Sequence, residues 1–211
     1  MTATSPEPGS TVGSVSDADP AFRPPQQARS RKSLRKVLAA AEHVLATGGI
    51  DEFTVAAVAE AAGMSVGTIY RRFTGKEQLL HAVKDQLLGR LETGVAEALA
   101  SAEEGLEGAL SAFTHAMART FSRHDRIFPA LLSGQQEEGV ERGLQALAAI
   151  QDALTEAAGP YLDDARALRF AARTIIGSCV HRAATCRSWP DGVSWTGWAD
   201  ETTKLAVAYL T

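Results

Sequence analysis

The sequence predicts an all-α fold, on three observations. Apolar residues recur at steps of three and four through most of the chain, the spacing of a helix face. Ala and Leu are frequent while aromatic residues make up only 6%, a balance that favours helices over sheets. No run of residues alternates convincingly between apolar and polar, as a half-buried strand would. With 211 residues and 45% hydrophobic content, the chain is long enough to bury a substantial core.

Taken in order, the first 27 residues are rich in Ser, Thr, Pro and Gly and carry no apolar period. Such a segment buries too little surface to offset the entropy of ordering, so a disordered arm is expected there. From Ser30, the residues Leu34, Val37, Leu38, Ala41, Val44 and Leu45 form a helical stripe that Gly48 and Gly49 should end. Thr54 is placed to cap a second helix through Val55, Val58, Ala59 and Ala62, followed by a tight turn at Gly63. Ser65 then caps a third helix reaching about Arg72. In "TGKE", Thr74 and Glu77 have the spacing of a capping box. The fourth helix it would open carries Leu79, Leu80, Val83, Leu87 and Leu91 onward into the rest of the protein. Further helices are expected at about 104–122, 127–132, 137–157, 163–188 and 195–210, separated by polar breaks and by "AGP" and "WPDG".

The total charge of −4 conceals a strong asymmetry. Residues 28–90 contain ten basic and six acidic side chains, a net +4, whereas residues 91–211 carry −6 and the first 27 carry −2. A phosphate backbone responds to the local field, so the basic segment remains compatible with a nucleic-acid partner. No segment is apolar enough for a membrane span, and the N-terminus lacks the basic start and apolar run of a secretion signal. Cys179 and Cys186 lie seven apart on one expected helix, about 10 Å along its axis, too far to bridge within a chain. A reducing, cytoplasmic setting is expected. A disulfide to a second subunit stays geometrically open.

A duplex reader needs a short helix that enters the major groove, held at a fixed angle by a supporting helix. The segments 54–62 and 65–72 have those parts. Val55, Val58 and Ala59 give the supporting helix an inner face, and Ile69 and Phe73 do the same for the second. This leaves Ser65, Val66, Gly67, Thr68, Tyr70 and Arg71 for the outer face. Gly67 adds no bulk where a backbone would approach DNA. Thr68 and Tyr70 offer hydroxyls to phosphate, and Arg71 reaches phosphate or a guanine edge. Lys76 stands in the first turn of the fourth helix, where a bound phosphate would reconcile its charge with the helix dipole. The alternative reading of Tyr70 is a half-buried core aromatic. Arg29 to Lys36 are either phosphate contacts or a solvated face.

The stretch "GGIDEFTVAAVAEAAGMSVGTIYRRFTGKEQLL", Gly48 to Leu80, resembles the TetR family of transcriptional regulators. The match is carried by Thr54, Ala59, Ala62, Gly63, Ser65, Gly67, Thr68, Tyr70, Phe73, Lys76, Glu77 and Leu79. It departs from the family in "FTG" before Lys76, where a stiffer turn with Pro or Asn is more usual. The resemblance implies a three-helix helix-turn-helix DNA-binding head at residues 28–75, followed by an all-helical effector-binding and dimerisation domain at 76–211. It implies phosphate contacts from Thr54, Tyr70 and Lys76, with Ser65 to Arg71 as the recognition helix. The expected partner is double-stranded operator DNA, approximately palindromic.

In the body, Phe113, Met117 and Phe121 form a helical stripe that Phe128 and Phe170 can join. They are either plain core or the wall of an effector pocket, which the family likeness places among these helices. Arg173 lies in the apolar run "FAARTIIGS", to pair with a carboxylate or to anchor an anionic effector. Helices 163–188 and 195–210 are expected to form a homodimer surface. Small residues Ala171, Gly177, Ser178, Ala183 and Ala184 lie on one helix. Trp195, Trp198, Ala199, Thr202, Leu205, Ala206 and Tyr209 share a broad face of the other. His115 and His181 lack partners at metal-ligand spacing, so neither metal nor cofactor is expected. The sequence also lacks GxSxG, HExxH and phosphate-loop motifs, so no enzymatic activity is expected. The expectation is a repressor released from its operator by a small, mostly apolar effector. An activator, or a regulator without a ligand, is the alternative on the same fold, and an all-helical enzyme the alternative of another class.

Overall fold

The computed structural model describes residues 25–132, 137–185 and 188–211, and among them no strand occurs. Their order is α1 (Pro25–Glu52), α2 (Val55–Ala62), α3 (Val66–Tyr70), α4 (Lys76–Ala100), α5 (Leu106–Arg123), α6 (Phe128–Leu132), α7 (Glu137–Ala158), a short 3₁₀ turn (Gly159–Tyr161), α8 (Ala165–Thr185) and α9 (Trp195–Leu210). The helical stripes expected from the sequence all appear. Three local expectations change. The first helix begins at Pro25, before the end of the expected arm; residues 1–24 of that arm lie outside the described residues. Its regular backbone breaks at Gly49 (φ 67°), where left-handed geometry suits a residue without a β-carbon.

The expected capping box does not form. Gly75, not Thr74, occupies the N-cap of α4, and no side chain caps that end. The register is shifted by one residue. Gln78, now third in the helix, accepts the Thr74 N–H at 2.6 Å, in place of Glu77.

Two buried clusters organise the packing. The head cluster joins Val37, Ala41, Val44 and Leu45 of α1 to Phe53, Val58, Ala62, Ile69 and Phe73. The body cluster joins Leu110, Phe113, Met117 and Phe121 of α5 to Ile150, Leu154, Leu168, Ile175 and Cys179. Helix α4 serves both, with Leu79, Val83 and Leu87 in the head and Leu91 and Val95 in the body. The α6 region does the same on a smaller scale: Ile127 and Leu131 pack into the head, Phe128 into the body. Polar ties reinforce this seam. Glu42 of α1 accepts from Gln86 (2.6 Å) and Arg90 (3.0 Å) of α4, and Arg142 of α7 grips Glu92 with both terminal nitrogens (2.8 and 2.9 Å) and Asp85 with Nε (2.7 Å). These carboxylates raise the Arg142 pKa further, so its charge is fixed.

Cys179 is fully buried, and burial pushes its thiol pKa well above the ordinary range. A protonated, enclosed thiol is neither a nucleophile nor a partner for a disulfide between subunits. Cys186 lies outside the described residues. Among them no helix is long and apolar enough to cross a membrane, and no group of three or more His, Cys, Asp and Glu side chains converges on a metal position.

Candidate nucleic-acid interface

The supporting and outer helices meet through a turn whose hydrogen bonds follow from one glycine. Gly63 takes φ 57°, ψ 45°; its N–H donates to Glu60 O at 2.9 Å, and the Met64 N–H donates to Ala59 O at 2.9 Å. This is the Schellman pattern, which satisfies the last carbonyls of α2 and reverses the chain sharply. A β-carbon at Gly63 would meet Lys36 Nζ at 3.7 Å, so an exposed cation of α1 borders the turn.

Both helices begin with side-chain caps that the sequence anticipates. Thr54 Oγ1 accepts the Ala57 N–H at 3.0 Å, and Ser65 Oγ accepts the Thr68 N–H at 3.2 Å. Thr68 Oγ1 lies 2.9 Å from Ser65 Oγ and accepts from Arg71 Nη2 at 3.2 Å. The polar side chains of α3 thus hold one another in place at its surface.

Burial divides α3 cleanly. Ile69 and Phe73 enter the head cluster, while Ser65, Val66, Gly67, Tyr70 and Arg71 are exposed and Thr68 is half-buried. Tyr70 is 54% exposed. Gly67 has nothing within 4 Å of where a β-carbon would stand, so the fold itself does not require glycine there. Sequence reasoning missed Arg72, which donates through Nη2 to Ser30 O (3.0 Å) and Ser30 Oγ (2.7 Å). That contact ties the end of α3 to α1 across 42 residues, a pairing no local pattern reveals.

Lys76 is half-buried, and its ammonium donates to Ile50 O at 2.9 Å, tying the last turn of α1 to the start of α4. With Gly75 offering no cap, the first N–H groups of α4 have no side-chain acceptor. They form the positive end of the helix dipole beside the Lys76 charge. Thr54 is exposed, as are Arg29, Arg31, Lys32, Arg35 and Lys36 on α1.

The expected effector residues separate into two groups. Phe113 and Met117 are 0% exposed, leaving no surface that a water molecule can touch from outside or from within. Phe121 and Phe128 are buried beside them, with ring centroids 4.1 Å apart. Phe170 and Arg173 do not join this cluster. Phe170 is 61% exposed on the outer side of α8, against Tyr209 of α9 at 5.8 Å, and Arg173 is exposed beyond it. The helical period explains the correction: Leu168, Ala171, Ala172, Ile175 and Ile176 take the inward positions of α8, leaving 170 and 173 outward.

The expected dimer face is likewise split. Trp195 and Trp198 turn inward, partly buried against the body cluster, Trp195 stacked 6.0 Å from Phe121. Ala171, Ala183, Ala199 and Ala206 are buried. Outside remain Phe170, Gly177, Ser178, Ala184, Leu205 and Tyr209, with a groove of about 280 Å³ between α8 and α9.

Residues 37–83 match the family model described as bacterial regulatory proteins, tetR family. Among solved structures, the chain is similar to the fatty acid degradation regulator FadR from Bacillus halodurans, at TM-score 0.67 and 19% identity over 82% of this chain and 93% of that one. The transcriptional regulator FadR from Bacillus subtilis in complex with stearoyl-CoA aligns at TM-score 0.65 and 18% identity, covering 84% and 100%. The TetR family regulator PfmR from Thermus thermophilus aligns at 0.61 and 19%, covering 83% and 94%. A search of curated proteins finds no match.

Proposed function

We propose that the chain, whose residues 37–83 match the tetR family model, is a regulator of that family and works as a homodimeric, cytoplasmic repressor whose two heads grip one operator. The observation that carries the reading is α3: a capped surface helix with Ile69 and Phe73 beneath it and Ser65, Val66, Gly67, Tyr70 and Arg71 facing solvent. Val66 and Gly67 allow close approach to base edges, Arg71 supplies a guanidinium fork, and the Thr68 and Tyr70 hydroxyls reach phosphate. Thr54 and Lys76 grip the flanking backbone, with the uncapped start of α4 adding N–H donors.

Dimerisation follows from the outer faces of α8 and α9. Phe170, Leu205 and Tyr209 are large apolar side chains in solvent, next to a groove a second copy would fill. Two heads would then enter successive major grooves about 34–36 Å apart. A small, mostly apolar effector would insert among Phe113, Met117, Phe121 and Phe128. Because these side chains are closed on one another, entry must part them. Phe128 lies between Ile127 and Leu131 of the head cluster, so its displacement shifts the head. Operator affinity falls by linkage.

Binding rather than catalysis is also the better reading of the polar groups. Ser111, His115 and Asp200 fall in line, with His115 Nε2 3.0 Å from Asp200. Yet His115 Nδ1 lies 2.9 Å from Ser111 O, a carbonyl that only accepts. Nδ1 therefore faces the nearer carbonyl, with the Ser111 hydroxyl farther off at 3.4 Å. The arrangement fastens α5 to α9.

The test is genome-wide capture of bound DNA followed by titration of the recovered site. Wild-type protein should bind one palindromic site per dimer, with affinity falling steeply as salt rises. Tyr70→Phe and Lys76→Ala variants with unchanged affinity and salt slope would sink the contact assignment.

A further inference from the structure

We infer that the cleft between α4 and α5 binds a small molecule carrying a diphosphate, and that Arg90 links its occupancy to the seating of the head. The cleft has a volume of about 620 Å³, within the range of small-molecule sites. Small residues open its floor. A β-carbon at Gly89 would meet nothing within 4 Å, and one at Gly94 only Thr120 Oγ1 at 4.0 Å. The α5 wall presents Arg119 and Arg123, both exposed, whose guanidinium groups have no hydrogen-bond or ion-pair partner among the described residues. Four residues apart on a helix, they stand one turn from each other, with β-carbons about 5–6 Å apart. That spacing suits adjacent phosphates, which planar guanidinium forks bind with two hydrogen bonds each. The cleft also holds Arg90 on the α4 wall, against a single lining carboxylate, Glu97. Net positive lining, bare arginines and a wide opening select a multiply charged anion over the apolar guest assigned to the body core.

Arg90 has a second engagement. Its Nη1 donates to Glu42 of α1 at 3.0 Å, and Gln86, which also lines the cleft, donates to the same carboxylate at 2.6 Å. A phosphate that draws Arg90 inward competes with Glu42 and weakens a contact between α1 and α4. Linkage is reciprocal: removing the Glu42 charge should raise phosphate affinity. The consequence for transcription rests on the regulator reading, whereas the site does not.

Calorimetric titration of the full chain without DNA separates the two. ADP is the probe, with inorganic pyrophosphate and adenosine as further arms at constant ionic strength. ADP should bind, and adenosine should not. Tighter binding of ADP than pyrophosphate shows that an organic moiety fills the cleft, and equal binding shows that the diphosphate alone is recognised; both support the site. The double variant Arg119→Ala/Arg123→Ala should weaken ADP at least tenfold with unchanged helicity and melting temperature. Glu42→Gln should tighten it about threefold or more. Absence of ADP binding at millimolar concentration, adenosine binding as well as ADP, or a double variant that binds like wild type overturns the site. A Glu42→Gln variant that does not gain affinity overturns the Arg90 linkage. Failure of the unliganded protein to bind operator leaves the site standing and counts only against the regulator reading.

Discussion

Gly67 stands on the open side of α3 with free space around it, so the folded head does not depend on its missing side chain. Substituting alanine should therefore stabilise α3, by roughly 0.5 kcal/mol from helix propensity. If DNA backbone comes against this position, the same methyl group should weaken operator binding severalfold. Thermal melting beside a binding titration checks both signs, and unimpaired binding removes Gly67 from the interface. Lys76 carries a different pair of consequences. Its hydrogen bond to Ile50 O exists without DNA, so Lys76→Ala should cost about 1 kcal/mol of stability. The salt dependence of operator binding should also become shallower by about one unit of log–log slope. Tyr70→Phe removes only an exposed hydroxyl. It should leave melting unchanged and reduce affinity across operator sequences alike, because phosphate contacts position without reading sequence.

At the scale of elements, α4 and α6 join the two cores. Phe128 sits in that joint, stacked on Phe121 in the body and flanked by Ile127 and Leu131 of the head cluster. Phe128→Ala should destabilise the protein by about 3–5 kcal/mol, the usual cost of emptying a buried aromatic site. Chemical denaturation measures it, and a loss below about 1 kcal/mol would show that the site collapses freely and transmits little strain. Sequence periodicity locates α4 because its apolar stripe continues unbroken from Leu79 to Leu91. It also locates α6, but nothing local tells that neighbouring residues of α6 enter different cores. The capping shift at Gly75 has the same origin. Thr74 and Gly75 compete for one position, and the hydrogen bond from Lys76, the first residue of α4, to Ile50 O accompanies the choice of Gly75.

The whole molecule presents a basic head, an acidic body and an apolar outer face on α8 and α9. If the proposed dimer forms through that face, placing a charge there should separate the subunits without unfolding either. Leu205, 72% exposed, is the position of choice. Leu205→Asp should shift sedimentation from dimer to monomer and weaken operator binding sharply, while helicity is retained. A variant that remains dimeric moves the interface elsewhere. The Cys179 thiol, buried and held protonated, should resist alkylation in the native protein at neutral pH and react once the chain is unfolded.

By itself the sequence determined what depends on neighbours along the chain: the helices, the Thr54 and Ser65 caps, the glycine turn, and hence the outward residues of α3. Those features have periods and spacings of a few residues, and the matched family pattern at 37–83 is built from them. Only the tertiary structure decided which face of α8 and α9 turns inward, sending Trp195 and Trp198 into the body and leaving Phe170 and Arg173 outside. It alone brought Arg72 to Ser30, Arg90 to Glu42 and Arg142 to Glu92, across 42, 48 and 50 residues. The physical reason is that apolar stripes on these helices are wider than one contact. Which part is buried is settled by competition among all the helices at once, and that competition has no local signature.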